Sequence, residues 1–484
     1  MLYPYTLRKV NNQVIHATKW SVICEVAAKI IAPITTIILA RLLSQEVFGI
    51  VASITAITSL ADMLSDAGFN AYIIQHQFSS DKEKKSVFNV CFWTNLLIAT
   101  ILFAVILINR HLFSRLVGAE GYSNVLVVAA FVIPIMSISS IEMAIMKKDL
   151  NFKRLGFIKI VSKFIPFLTT IPLAFCGFGY WSLVVGSLIG EFIGMILCFK
   201  FAGFYPAREY DISRLKSIFS FSGWAYLESI LEWLLSNIAL LTLASIYGIA
   251  ALGLFKVGMN MISQIINSIY ALYSNVYKSA ISREQYDYAK FKKLFLTFQN
   301  YSSIISLPLG IGTFIYRDFI TTLLLGKDWS EASIIVGGWA LAATLSIAFG
   351  NFYSDAIRAK GYPKRLVQIN LVYLVLIIFL LSFSSKMSFL TFCIAFCCIK
   401  VIQPLLQVIY GSRLCKISFG EILKSSYPQL IATSVMAIFG ILLNLTSFPF
   451  AMNFIGIGIC IIAYITTYYF ITPDKTIFKV FRWA

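Results

Sequence analysis

The stretch "LARLLSQEVFGIVAS", residues 39–53, has a counterpart in "LASIYGIAALGLFKV", residues 243–257. Superposed, both begin Leu-Ala and carry Gly at the eleventh place, so Leu39 falls on Leu243, Ala40 on Ala244, Phe48 on Leu252 and Gly49 on Gly253. A second phrase repeats in the same order: "AIMKKDLNFKRL" (144–155) and "AIRAKGYPKRL" (356–366) both read Ala-Ile, a Lys a few residues on, then Lys-Arg-Leu. A looser third echo pairs Gly118 with Gly326. The three offsets lie between 204 and 212 residues, as an internal duplication requires.

What is duplicated follows from the composition. Of 484 residues 59% are hydrophobic, and the mean hydropathy is +0.81. A water-soluble domain is nearer 45–50% apolar, so the bilayer is the expected solvent. Apolar runs long enough to cross about 30 Å of hydrocarbon recur from end to end. They predict about fourteen spans, near 15–41, 47–72, 86–109, 123–146, 156–176, 180–200, 217–247, 253–278, 294–316, 332–357, 366–385, 388–411, 427–445 and 450–471. The longest polar connections, near 201–216 and 279–293, are too short for a soluble domain. The opening "MLYPYTLRKVNNQ" is polar and has no cleavable signal pattern.

The net charge of +18 would suit nucleic acid, but its distribution argues for a membrane. Lys and Arg in the termini and even-numbered connections total 29, from Arg8 and Lys9 through Lys147–Lys148 and Lys292–Lys293 to Arg482. The odd connections hold six: Arg41, Arg110, Arg115, Arg317, Lys327 and Lys386. This loop-by-loop alternation follows the positive-inside rule and places both termini in the cytoplasm. Nine cysteines fall nearly all within spans, and three histidines, His16, His76 and His111, sit near span ends. Cys393, Cys397 and Cys398 read as small packing residues, and no zinc spacing is present. Gly326-Lys327 is followed by Asp328, so it is not a phosphate-binding loop.

The repeat divides the chain into two six-helix bundles, 1–205 and 206–415, with helices 13 and 14 and a cytoplasmic tail appended in 416–484. Six is even, so the copies have the same orientation and are expected to be related by an axis along the membrane normal. Two such halves in a V-shaped all-α bundle enclose a cleft that opens to either side in turn, the geometry of alternating access.

The run "ARLLSQEVFGIVASITAITSLADMLSDAGFNAYIIQ" (40–75) resembles the opening of polysaccharide transporter (Wzx-type) flippases, members of the multidrug/oligosaccharidyl-lipid/polysaccharide exporter superfamily. "KKDLNFKRL" (147–155), "GFGYWSLVVGSLIG" (177–190), Leu252-Gly253-Leu254-Phe255 and "LLLGKDW" (323–329) extend the resemblance. It implies export of undecaprenyl-diphosphate-linked oligosaccharide units for O antigen, capsule or exopolysaccharide across the bacterial inner membrane. It also implies a glycan polymerase and a chain-length regulator as assembly partners, with no nucleic acid and no cofactor beyond H+ or Na+ coupling. One departure matters: the family often carries an Asp in helix 7, where this chain has Asn237 and then Ala239.

Charge inside a span costs about 2.5–3.5 kcal/mol on insertion scales, which marks each such residue as a functional candidate. Helix 1 carries Glu25 and Lys29, and helix 2 carries Asp62 and Asp66, each pair one turn apart. Further spans add Glu142, Lys159, Lys163, Glu191, Glu228, Glu232, Lys256, Asp355 and Lys400. A diphosphate needs cations, so Lys29, Arg41, Lys159, Lys163 and Lys256 are expected at the head group. Glu25, Asp62, Asp66, Glu142, Glu228, Glu232, Asp355 and Lys400 are expected at ion-coupling or cavity positions. Glu191 lies in Gly186-x3-Gly190-Glu191-x2-Gly194, a seam for close helix packing. Pro33, Pro134, Pro166, Pro308 and Pro404 bend their spans. Trp20, Trp93, Trp181, Trp224 and Trp329 read as interfacial anchors.

Two rival readings remain. A multidrug or cation exporter of the same superfamily would have about twelve spans and an acidic interior, whereas this chain has an extra pair of spans and internal lysines. A polysaccharide polymerase or transferase would need a large outer loop with Arg and His, or a His-Asp constellation at one surface, and neither is found.

Overall fold

The computed structural model describes residues 31–149, 151–445 and 449–472. Glu25, Lys29, Trp20 and the Trp224 side chain lie outside the described residues. All regular elements among the described residues are helical: α1 (Ile31–Leu42), α2 (Gln45–Asp66), α3 (Phe69–Gln75), α4 (Asp81–Ile108), α5 (Arg110–Leu116), α6 (Ser123–Ala130), α7 (Val132–Lys148), α8 (Phe152–Phe175), α9 (Tyr180–Ala202) and α10 (Ser213–Tyr247). The chain continues through α11 (Ile249–Arg283), α12 (Tyr288–Ile315), α13 (Arg317–Leu325), α14 (Ser333–Leu345), α15 (Asn351–Ala359), α16 (Pro363–Phe383), α17 (Phe389–Cys415), α18 (Phe419–Leu445) and α19 (Met452–Ile471). Twelve helices or helix runs are long and apolar enough to cross a bilayer, and the bent pair α12–α13 makes thirteen. They fall one for one on the second to fourteenth spans read from the sequence. The chain is therefore an all-α, multi-pass membrane protein.

Helix starts follow local capping chemistry. Ser44, inside the repeated phrase, caps α2 through Val47 N (3.5 Å). At α4 the sequence Ser80-x-x-Glu83 forms a reciprocal cap. Ser80 Oγ accepts from Glu83 N (3.2 Å), and Glu83 Oε2 accepts from Ser79 N (2.7 Å). Asp287 caps α12 through Lys290 N (3.1 Å), and Ser388 caps α17 through Thr391 N (3.2 Å).

Helix breaks follow proline chemistry. Pro134 has no N–H for the Ala130 carbonyl, and the fourth span divides at Phe131 into α6 and α7. Pro308, inside α12, likewise leaves the Ile304 carbonyl without its ladder donor; Tyr464 Oη on α19 donates to it at 2.7 Å. The tenth span is composite. A 3-10 turn (Lys327–Ala332) leads into α14, and a π-turn (Ser346–Gly350) joins α14 to α15. The 3-10 turn folds Trp329 inward, leaving it 1% exposed. Trp329 is thus a core residue, not the interfacial anchor its position suggested. Trp93 does sit at a surface, donating to the Ala207 carbonyl (2.7 Å).

The described chain forms two compact units, Met1–Gly253 and Leu254–Ala484. The first takes in α10, which packs along α2: Trp233 Nε1 donates to Ser59 Oγ (3.0 Å), and Tyr226 Oη to the Leu64 carbonyl (3.4 Å). One core of this unit joins Ile50 and Ile54 of α2 to Ala99 and Ile106 of α4 and Leu126 of α6. Another joins Phe69 and Ile73 of α3 to Phe88 and Phe92 of α4 and Ile141 of α7. Also within this unit, a Cβ on Gly49 would strike the Ile249 carbonyl, and one on Gly253 would strike the Gln45 carbonyl. Gln45 and Ile249 are the first residues of α2 and α11, so the glycine of each repeat fits against the opening residue of the other. The repeated glycine is the residue that permits this crossing.

In the second unit, one core gathers Tyr277 of α11, Phe291 and Phe295 of α12, Phe352 and Tyr353 of α15 and Ile422 of α18. Another gathers Ile304 and Tyr316 with Met436 of α18 and Tyr464 and Tyr468 of α19. The second repeated phrase does the same work in each unit. Lys148 ends the first copy of Ala-Ile-x-x-Lys; it donates to the carbonyls of Ile73 (3.0 Å) and His76 beyond α3, with its ammonium 4.5 Å from the Phe78 ring centre. Lys360 ends the second copy; it donates to the Gln285 carbonyl beyond α11, with its ammonium 4.3 Å from the Phe291 ring centre. In both units a lysine closes the C-terminal carbonyls of an earlier helix.

Candidate functional site

In the first unit, polar and charged side chains gather from five helices. Asp66 Oδ1 accepts from Asn70 Nδ2 (2.6 Å), and the same amide donates to Ser140 Oγ (2.9 Å), tying α2, α3 and α7 together. Asp62, one turn earlier, lies within electrostatic reach of Asp66 and of Glu191 on α9. Lys147 on α7 is within reach of Asp66 and of Lys159 on α8. Lys163 pairs with Glu191 at 3.6 Å; Lys159 and Lys163 are both exposed along α8. Glu142 is 0% exposed, with neither carboxylate oxygen hydrogen-bonded, and stands near Cys198 of α9. The structure therefore brings Asp62, Asp66, Lys159 and Lys163 into one neighbourhood with Glu191 and Lys147.

Glu191 reaches this place because its glycine seam closes on α8. A Cβ at Gly190 would stand 2.6 Å from the Pro166 ring, and one at Gly194 would strike Ser162 Oγ. Elsewhere in this unit, Arg41 is exposed at the end of α1, while on α10 Glu228 is half-buried and Glu232 exposed.

Three polar groups of the second unit contain or adjoin the predicted site residues. Lys400, at the middle of α17, donates to Gln403 Oε1 (2.6 Å), and Gln403 Nε2 donates to Asn370 Oδ1 of α16 (3.2 Å). The Lys400 ammonium lies 5.1 Å from the Tyr373 ring centre and 5.7 Å from that of Trp339. Trp339 is held in place by its Nε1 bond to Ser263 Oγ (2.7 Å). No carboxylate pairs with Lys400 among the described residues. An amide and two aromatic faces stand around the ammonium instead. Lys256, two turns before Ser263 on α11, is half-buried with no ion pair among the described residues.

The second group is Asp355 of α15, which accepts from Tyr270 Oη and lies 3.8 Å from Lys278 Nζ. Asp355 is thus tied to two residues of α11. The third is a buried layer on α12. Gln299 Nε2 donates to the Ala348 carbonyl inside the π-turn (2.9 Å), to Ser303 Oγ (3.0 Å) and to Ser426 Oγ (3.1 Å). Gln299, Asn70, Ser140 and Asn370 escaped the sequence reading because uncharged polar residues are common in spans. The one signal available was spacing: Asp66–Asn70 continues the one-turn period of Asp62–Asp66.

No group of three or more metal-binding side chains occurs among the described residues. The arrangement offers paired and unpaired charges within apolar spans, suited to binding and moving ions or ionic cargo.

Residues 38–334 match the family model described as "Polysaccharide biosynthesis protein". The chain belongs to this family. Family relatives include an uncharacterized membrane protein in the cps region of Klebsiella pneumoniae, 24% identical over 77% of this chain and 76% of that protein. Another is the lipopolysaccharide biosynthesis protein WzxC of Escherichia coli K12, 21% identical over 66% of this chain and 65% of that protein. The fold is similar to that of lipid II flippase MurJ in an inward closed conformation, with a TM-score of 0.73 and 17% identity over 94% of this chain and 97% of MurJ. The family places the chain in polysaccharide biosynthesis, and the likeness to MurJ, which extends over nearly the whole chain, is one of fold.

Proposed function

We propose that the chain flips undecaprenyl-diphosphate-linked oligosaccharide units, of O antigen, capsule or exopolysaccharide, from the cytoplasmic to the outer leaflet of the bacterial inner membrane. Membership of a polysaccharide biosynthesis family and a flippase-like fold support a lipid-linked sugar as cargo. The observation that carries this reading is Lys256, a lysine inside an apolar span without a carboxylate partner among the described residues. A cation costs free energy in such a span, and a diphosphate is the part of the cargo that repays it.

In this reading Arg41, Lys159, Lys163 and Lys256, with Lys29, hold the head group. Asp62, Asp66, Glu142, Glu228, Glu232, Asp355 and Lys400, with Glu25, serve H+ or Na+ coupling or line the path. The halves 1–205 and 206–415 alternate access, with 416–484 appended and both termini cytoplasmic. A glycan polymerase and a chain-length regulator take the product onward. Internal lysines and a span count above twelve weigh against a cationic-drug exporter.

The test is Lys256→Ala beside Lys256→Arg, with surface glycan and protein level measured in the native host. Losing one charge-assisted bond, about 1.5–3 kcal/mol, predicts a drop in glycan of about tenfold or more for Lys256→Ala, with recovery in Lys256→Arg. Unchanged glycan at unchanged protein level removes Lys256 from the path.

A further inference from the structure

The corner between α12 and α13 forms a second, smaller site. The two helices meet at 87° around Tyr316, and the alternation of basic connections assigns this corner to the outer face. Beside it lies an open pocket of 460 Å3, walled by Ile311 and Phe314 of α12, Leu341 of α14, and Ile441 and Leu445 of α18. Two charged side chains, Arg317 and Asp318, also line it.

Arg317 is held there. Its guanidinium carbon is 5.3 Å from the Phe314 ring centre, and its stem packs where a Cβ on Gly337 would stand. Yet its Nε is buried without a hydrogen bond. The nearest carboxylate oxygen, Asp318 Oδ2, is 3.9 Å away, an ion-pair distance too long for a hydrogen bond. Asp318 itself is 73% exposed. Asn444, also at the rim, is committed to the Ile315 carbonyl (3.2 Å).

The pocket thus joins an apolar slot to one fixed guanidinium and one exposed carboxylate. A purely anionic head group would meet Asp318, and a cationic amphiphile would meet Arg317. A molecule with acyl chains, a phosphate and a primary ammonium satisfies all three features. We propose that this pocket binds a zwitterionic aminophospholipid of the outer leaflet. Its phosphate bonds Arg317, its ammonium pairs with Asp318, and an acyl chain lies between α12 and α18. None of its lining residues belongs to the group around Lys400, and the proposal does not depend on the identity of the cargo.

The experiment reconstitutes the full chain in nanodiscs of equal phosphatidylethanolamine and phosphatidylglycerol, extracts it gently, and quantifies retained lipid by native mass spectrometry. Wild type is expected to retain phosphatidylethanolamine over phosphatidylglycerol. Arg317→Ala should lose that retained lipid about tenfold, the scale of one charge-assisted phosphate bond. Asp318→Lys, at an exposed position that does not threaten folding, should reverse the preference toward phosphatidylglycerol. Equal retention of both lipids by wild type, or an unchanged preference in Asp318→Lys, overturns the proposal.

Discussion

Tyr464 illustrates how one side chain compensates a defect in another helix. Pro308 removes the donor that the Ile304 carbonyl would use, and the Tyr464 hydroxyl replaces it from α19 at 2.7 Å. Tyr464→Phe is expected to lower stability by about 0.5–1.5 kcal/mol, the range of a single buried hydrogen bond between membrane helices. Thermal unfolding in detergent measures it. Adding Pro308→Ala should recover part of the loss, because the Ile304 carbonyl regains a donor in its own helix. A double variant no better than Tyr464→Phe alone would detach the tyrosine from the proline.

Asp287 gives a pH prediction of definite sign. It lies outside the spans, and the backbone N–H of Lys290, followed by the Lys290 side chain, holds its carboxyl below the usual aspartate range. A depressed folded-state value means that the cap stabilises fully above the ordinary aspartate pKa of about 4. The contribution then falls away as pH drops through the lower, folded-state value. Protection factors for hydrogen exchange in the first turn of α12, corrected for the intrinsic pH dependence, should fall in acid for the wild type. In Asp287→Ala the protection should already be low at neutral pH, with little further acid response.

Among elements, the α8–α9 pair depends most on small residues. Gly186, Gly190 and Gly194 lie on one face of α9, and a Cβ at Gly190 would stand 2.6 Å from the Pro166 ring and 2.8 Å from the Ser162 carbonyl. Gly190→Val is therefore expected to destabilise the protein by about 1–3 kcal/mol, the usual cost of overpacking, and to separate Glu191 from Lys163. Gly458→Ala in α19, where no neighbouring atom lies within 4 Å of the added carbon, is the control and should be neutral or slightly stabilising. Similar losses in both variants would point to a general intolerance of helix substitution and against the seam. The seam itself was legible from the four-residue glycine period. The 87° corner at Tyr316 and the π-turn at Ser346–Gly350 were not. At Tyr316 the apolar run ends on Arg317 and Asp318 without stating a direction, the π-turn lies inside an apolar run, and hydropathy registers solvent preference, not backbone direction.

At the scale of the molecule, the internal repeat has a structural counterpart. The two lysine closures, Lys148 on the end of α3 and Lys360 beyond α11, are one device written twice. Lys148→Ala should raise hydrogen exchange around residues 73–78 without affecting 283–291, and Lys360→Ala should do the reverse. The proposed coupling through Asp62 and Asp66 also belongs to this scale. In vesicles, collapsing the pH gradient is expected to slow transfer of lipid-linked oligosaccharide. Asp62→Asn with Asp66→Asn should remove that dependence. Transport indifferent to the gradient in the wild type would take the two acids out of the coupling role.

Solvent preference is additive along the chain, and so the thirteen described spans and the duplicated phrases could be read without coordinates. Family resemblance was legible for the same reason, because it rests on short runs of neighbouring residues. Partnership is not additive. Whether Glu191 meets Lys163, whether Asp355 belongs with Tyr270 and Lys278, and whether Lys400 finds a carboxylate or an aromatic face depend on side chains delivered by helices distant in sequence. Those distances are set by helix packing, which the folded chain alone defines.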